Sequence, residues 1–334
     1  MSKNLFYLET GCTDPFYNLA FEEYVLRNRK DGDYLILWQN QNTIVIGVNQ
    51  VTQAEINTLW VNENSVNVVR RITGGGAVYH DLGNLNYSFI TDYDSSEQLS
   101  MERFTRPVVA ALIKLGIPAY ASGKNDILAN GRKLSGTAQK IIGGRILHHG
   151  TLLFDSDLSA VQSALNVDPE KFTGKGMKSV RSRICNIRQM LKDDMELPEF
   201  WGHIKKELSN ENYVTGKLDE DELKAVLLLK ESKYDTPEWN YGRSPDAGLH
   251  IKRRFPGGTI EIALSLSGNH VSSISFFGDF MARKPVDDIC SALEGALFDE
   301  DTFIDILSQF QLADYFGGIT SDQITDMLFY SSST

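Results

Sequence analysis

Short apolar runs bounded by glycine, asparagine and proline dominate the first half of the chain, and they read as strands. Tyr34–Trp38 and Thr43–Gly47 make one pair around the polar loop Gln39-Asn40-Gln41-Asn42. Asn67-Val68-Val69 and Leu85–Ile90 flank a glycine cluster, and Thr151–Phe154 follows His148-His149-Gly150. Asn130-Gly131 separates Asp126–Leu128 from Lys133–Ser135 and has the composition of a two-residue hairpin turn. Ser135–Gln139 and Gly143-Gly144 read as a loop of small residues.

Helical spacing is concentrated in fewer places. Asp14-Pro15 has the form of an N-cap with proline at the first helical position, and Phe16, Leu19, Ala20 and Leu26 continue the stripe to about Asn28. Further helices are predicted over Gln53–Trp60, Pro107–Leu115 with Gly116 after its end, Asp193–Leu208 and Asp219–Ser232. Past Thr236-Pro237 and Arg243–Gly248, which read as a linker, Thr259–Leu266 and His270–Phe277 make a hairpin. Helices follow over Val286–Leu297 and Thr302–Phe310, with a last one beginning near Ser321. Strands and helices do not alternate one for one, so the fold class is α+β. A larger domain over residues 1–245 and a smaller α/β one over 246–334 are expected, each with enough chain for its own core.

Composition narrows the class. The 334 residues are 42% hydrophobic and 23% charged, as in an ordinary globular protein. No apolar run approaches the length of a membrane span, and the start of the chain has no apolar signal-peptide core. Three scattered cysteines, Cys12, Cys185 and Cys290, suit reduced thiols in a cytoplasm. A net charge of −11 gives nucleic acid no general attraction, and the six histidines lack metal-ligand spacing. No nucleic-acid or membrane partner is expected.

The chemistry concentrates in two stretches. Arg70-Arg71-Ile72-Thr73-Gly74-Gly75-Gly76-Ala77-Val78-Tyr79-His80-Asp81 joins two strands. Its glycines bare backbone N–H groups, and its arginines offer forks suited to phosphate or carboxylate. The same glycines serve equally well as a plain turn, and the spacing matches neither a dinucleotide fingerprint nor a P-loop. In the second stretch, Lys133 follows the Asn130-Gly131 turn with Asp126 across from it. It reads as a solvated surface charge or as a ligand for a polyphosphate.

Together these blocks resemble the signature of the lipoate–protein ligase A family, within the biotin/lipoate protein ligase superfamily. The resemblance is carried by Arg70–Asp81 with Leu82-Gly83-Asn84, by Asn125-Asp126 before Gly131-Arg132-Lys133-x-Ser135-Gly136-x-Ala138, and by His149-Gly150. Ser179–Arg183 and Trp239-Asn240-Tyr241-Gly242 complete it. It covers the chain to about residue 245; the remainder fits the bacterial accessory domain in size and pattern.

The resemblance implies ATP-dependent activation of lipoate to lipoyl-AMP, then transfer to a lysine of acceptors carrying lipoyl domains, such as E2 subunits or the glycine-cleavage H protein. It implies Lys133 as the catalytic residue, touching both ATP and lipoate. Arg70, Gly75, Gly76, Ala77 and Val78 would hold ATP, His80 and His149 lipoate, with Trp38 and Val78 beside them, and Asp126 a magnesium ion. Two other functions stay open. One is an ATP-independent lipoyl or octanoyl transferase working through a cysteine thioester, for which Cys185 is the candidate. The other is a non-catalytic sensor of a lipoyl nucleotide.

Overall fold

The structure, a computed structural model, describes residues 4–93, 101–123, 125–165, 183–242 and 249–329. The linker at 243–248 and most of the Ser179–Arg183 block lie outside the described residues. The chain divides into two compact units. The first takes Met1–Val45, Ile56–Val69 and Val78–Thr236; the second takes Ile46–Glu55, Arg70–Ala77 and Pro237–Thr334. The second unit thus draws in two short segments from the part of the chain assigned by sequence to residues 1–245.

In the first unit an eight-stranded mixed sheet runs in the order β11-β1-β2-β6-β10-β9-β8-β7. Its strands are β1 (Leu5–Glu9), β2 (Asp33–Trp38), β6 (Asn84–Asp92), β7 (Ala119–Ser122), β8 (Asp126–Ala129), β9 (Arg132–Ile142), β10 (Arg145–Leu153) and β11 (Val214–Thr215). The strand β1 is parallel to both β2 and β11, while the pairs from β2 to β7 are antiparallel. Three short strands, β3 (Thr43–Ile46), β4 (Asn67–Arg70) and β5 (Val78–His80), form a separate sheet in the order β4-β3-β5.

Side-chain alternation gives the large sheet two different faces. One is apolar. Leu35, Leu37, Leu85, Tyr87, Phe89, Ile127, Leu134 and Leu152 pack there with Phe104, Val108 and Leu112 of helix α2 (Glu102–Lys114) and with Phe200 and Ile204 of α3 (Leu197–Ser209). The opposite face carries polar groups and meets α1 (Pro15–Asn28). Asp14 caps that helix as expected, accepting from the backbone N–H of Phe16 and Tyr17, with Pro15 in its first turn.

The second unit contains β12 (Leu249–Phe255), β13 (Gly258–Ser267) and β14 (His270–Gly278) in one antiparallel sheet. Helices α4 (Asp287–Leu293), α5 (Glu300–Ser308) and α6 (Ser321–Phe329) join it around a core of Ile260, Ile262, Phe276, Phe280, Phe303, Phe316 and Met327.

Several sequence expectations change. The hairpin over 259–277 gains a third strand, β12, whose exposed basic face hid its alternation. The expected loop at Ser135–Gln139 is the middle of β9; its small residues are spanned by ladder hydrogen bonds, and only Gly143-Gly144 turns. The helix expected from Pro107 starts at Glu102 and holds that proline inside it. Residues 53–60 form parts of two short helical turns, Thr52–Glu55 and Thr58–Glu63.

Candidate active site

The β8–β9 hairpin turns at Asn130-Gly131, both with positive φ (50° and 74°), as a tight type I′-like turn requires. Register then shifts by one residue. Asp126 faces Gly136 and Ile127 faces Ser135, but Leu128 faces Lys133, so Leu134 is the extra residue of a bulge. Leu134 is fully buried in the apolar core. The bulge has a direct consequence for Lys133. Residues 133 and 136 would point to opposite faces of a regular strand; with Leu134 inserted, Lys133 joins Asp126 and Gly136 on the polar face. Its Nζ lies 2.8 Å from Asp126 Oδ1, with both side chains about one-third exposed, at 33% and 34%. The backbone of Lys133 is anchored from the other side, where Cys185 N–H donates to its carbonyl at 3.0 Å.

From this pair a line of small and polar residues crosses the same face. Gly136 N–H donates to Thr151 Oγ1 at 3.2 Å, and Thr151 pairs with Asn86. One row on, Ala138 pairs with His149, His149 with Ser88, and Ser88 with Ile36. His149 Nδ1 is 2.9 and 3.0 Å from the two carboxylate oxygens of Glu22 on α1. Ser88 Oγ donates to Glu22 Oε1 at 2.5 Å and accepts from Trp38 Nε1 at 2.9 Å. At strand spacings of about 4.8 Å, β8 to β2 covers roughly 19 Å. His80, on β5, is buried beside Trp38 with ring centroids 6.4 Å apart, and its Nδ1 meets Asn40 Nδ2 at 3.2 Å.

The structure therefore gathers Lys133 with Asp126, and His149 and His80 with Trp38. Glu22 and Ser88 went unread in the sequence. The available signals were two glutamates inside the α1 apolar stripe and the polar alternation Asn84, Asn86, Ser88 in a strand buried on both faces. Glu23, next to Glu22, performs a separate task. Burial opposes its charge, but bonds from Lys233 (2.7 Å), Tyr234 (2.6 Å) and Arg27 (2.7 Å) more than offset this and hold its carboxyl below the usual range. It thereby pins α1, which carries Glu22. His148 points away from His149, as adjacent strand residues do. It stacks on Phe104 at 4.9 Å, and burial pushes its pKa down to about 3, so it stays neutral.

Arg70, Gly75, Gly76 and Ala77 belong to the second unit, whereas Lys133, Asp126, Val78, His80 and His149 belong to the first. Arg70 is fully buried. Its guanidinium donates to the carbonyls of Gly47, Val48, Gln50, Trp239 and Asn240 and to Thr52 Oγ1, at 2.6 to 3.2 Å. All five of its N–H groups are occupied within the protein, so a phosphate role for Arg70 requires some of these bonds to be given up. Arg71 similarly braces the glycine turn through Thr73 Oγ1 and the carbonyls of Gly74 and Gly76.

The glycines also meet a packing demand. A Cβ on Gly47 would lie 2.0 Å from Gly75 O, and one on Gly74 2.5 Å from Ala282 N. The Gly75 amide donates to Phe280 O at 3.1 Å. These close backbone approaches are what draw Ile46–Glu55 and Arg70–Ala77 into the second unit.

Cys185 sits behind Lys133 with its side chain fully buried, and burial pushes its thiol pKa up. A thioester mechanism wants the opposite, an exposed and depressed thiol. Cys185→Ala is therefore expected to retain activity within about threefold of wild type, since it removes only a small buried group. A loss of a hundredfold or more, at unchanged thermal midpoint, would restore the nucleophile reading.

Among the described residues there is no group of three or more His, Cys, Asp or Glu placed to hold a metal. Asp126 alone fits an ion that takes one carboxylate and completes its shell with phosphate oxygens and water, as Mg²⁺ does. No described helix is long and apolar enough to cross a membrane.

Residues 14–209 match the family model for the lipoyl protein ligase A/B catalytic domain, and residues 244–328 that for the bacterial lipoate protein ligase C-terminus. The chain is 42% identical over 330 residues to lipoate-protein ligase LplJ of Bacillus subtilis, covering 97% of this chain and 100% of that one. It is 39% identical to lipoate–protein ligase 1 of Staphylococcus aureus, with 97% and 99% covered. Among solved structures, a lipoate-protein ligase A bound with ATP superposes with a TM-score of 0.64 at 29% identity, over 72% of this chain and 99% of that one. Plasmodium falciparum LipL1 in complex with lipoate shares the fold, with a TM-score of 0.74 at 24% identity over 93% and 95%.

Proposed function

The chain belongs to the lipoate–protein ligase family, and from that premise we propose that it activates lipoate with ATP and transfers the lipoyl group to a lysine of lipoyl-domain acceptor proteins. In the first step the lipoate carboxylate attacks the α-phosphate of ATP, giving lipoyl-AMP and pyrophosphate. In the second an acceptor ε-amine attacks the mixed anhydride, giving an amide, AMP and a proton.

The observation that carries this reading is the Lys133–Asp126 pair at one end of the polar stripe. Two anions must meet in the first step, and a fixed cation at their junction lowers that barrier before and during charge build-up. Lys133 is that cation, bridging a lipoate carboxyl oxygen and the α-phosphate. Asp126 holds the ammonium on the polar face, and it is the residue that would accept a Mg²⁺ ion, which would neutralise phosphate charge. The amides of Gly76, Ala77 and Val78 are the proposed partners of the nucleotide, on the turn that Arg71 braces. His149 and His80, with Trp38 between them, are proposed to line the lipoyl end, and the Glu22–His149 pair fixes one imidazole in place. The cysteine usage fits a cytoplasmic location.

Lipoate-dependent ATP–pyrophosphate exchange, followed by mass spectrometry of purified E2 lipoyl domains and H protein, tests the proposal. Exchange that requires lipoate, and acceptor modification that requires ATP, are expected. Lipoyl transfer proceeding equally well without ATP would overturn it in favour of a transferase, and tight lipoyl-nucleotide binding with neither activity in favour of a sensor.

A further inference from the structure

The side chain of Lys133 does not extend freely. It folds back along its own strand, so that its Nζ lies over residue 136. An ideal Cβ placed on Gly136 would stand 2.8 Å from Nζ and 3.0 Å from Cε of Lys133, with Asp126 Oδ1 at 4.0 Å. The approach to Nζ is closer than a Cβ tolerates, so a Cβ and the lysine in its observed position exclude one another. The backbone of Gly136 does not itself demand glycine, because its φ is not positive and its N–H is held by Thr151. The only thing glycine provides here is space, and the atoms that use the space belong to Lys133.

We infer that Gly136 is a positioning residue for Lys133. The bulge at Leu134 turns the lysine onto the polar face, and the missing side chain at Gly136 lets the ammonium lie flat against β9, held by Asp126. This inference rests on the reading of Lys133 as the bridging cation. A Cβ at 136 requires the ammonium to shift by roughly half an ångström or more to reach ordinary van der Waals contact. In a step governed by alignment a misplacement of about 1 Å can cost about a hundredfold, so a shift of this size is expected to cost about tenfold or more. The fold tolerates the change, because the group displaced is the far end of a flexible side chain.

The full-length chain carrying Gly136→Ala, Lys133→Ala or both tests this. Lipoate-dependent pyrophosphate exchange, lipoate affinity by calorimetry and thermal midpoint are the readouts. Gly136→Ala is expected to slow exchange by about 10- to 100-fold with an unchanged thermal midpoint. Any weakening of lipoate binding it causes should vanish in the Lys133→Ala background, because two residues acting through one ammonium are not additive.

Wild-type exchange in Gly136→Ala would overturn the inference. So would a fall in thermal midpoint large enough to account for the loss. An equal loss of lipoate affinity with and without Lys133 would also overturn it, since the alanine would then be blocking the substrate directly. If Lys133→Ala alone exchanges at the wild-type rate, the reading of Lys133 fails first, an outcome distinct from the failure of Gly136 alone.

Discussion

Lys133→Ala is expected to lower the rate of lipoyl-adenylate formation by at least ~10²–10³-fold, the range for removing one preorganised donor from developing negative charge. The stability cost should be small. The side chain is about one-third exposed and its ion pair with Asp126 is of the partly solvated kind, worth at most about 1 kcal/mol. The variant should therefore melt within a few degrees of wild type while losing the first half-reaction. Lys133→Arg should recover little, because a planar guanidinium prefers a fork-to-fork pairing with Asp126 and does not put a compact point charge where the ammonium lies. Single-turnover quench with labelled ATP measures the step directly. Adenylate appearing at a near wild-type rate in Lys133→Ala would remove the lysine from the chemistry and leave it a surface charge.

Much of this site was legible from the sequence, for identifiable reasons. Asn130-Gly131 announces its turn because few other dipeptides accept two positive φ values, and the turn in turn places Lys133 near Asp126. The α1 start was legible because Asp14-Pro15 satisfies local rules alone. What stayed hidden depends on tertiary pairing. Nothing local to Lys133 signals that Leu134 is an extra residue, because the bulge exists only relative to β8. Ser135–Gln139 looks like a loop because glycine, serine and alanine lower strand propensity; of these, Gly136 and Ala138 lie on the polar face, and Gly136 leaves room there for Lys133. Glu22 was missed because a glutamate in a helix is normally solvated, and only the sheet beneath α1 shows that it is buried against His149.

The glycine block shows the limit most clearly, and Arg70 is the residue on which its two readings part. Two arginines before three glycines suggest anion binding, yet Arg70 spends its donors on five backbone carbonyls and a threonine hydroxyl. Arg70→Met removes every one of those donors and leaves the buried carbonyl oxygens of Val48 and Gln50 to find new partners, while Gly47 O keeps the Gln50 N–H. Each unsatisfied carbonyl costs about 1–3 kcal/mol, so a total loss of about 3–5 kcal/mol is expected after partial relaxation. That is a large share of the ~5–15 kcal/mol that ordinarily separates folded from unfolded chains.

Arg70→Lys should recover only part of it, since an ammonium offers three donors and no planar fork. Chemical denaturation, with hydrogen exchange read over residues 46–55 and 70–77, measures the effect and locates it. The expected result is faster exchange in both segments together, because Arg70 ties them to each other and to Trp239-Asn240. If Arg70→Met instead keeps its stability within about 1 kcal/mol and loses only ATP affinity, the carbonyl network is dispensable, and the guanidinium serves the nucleotide after all.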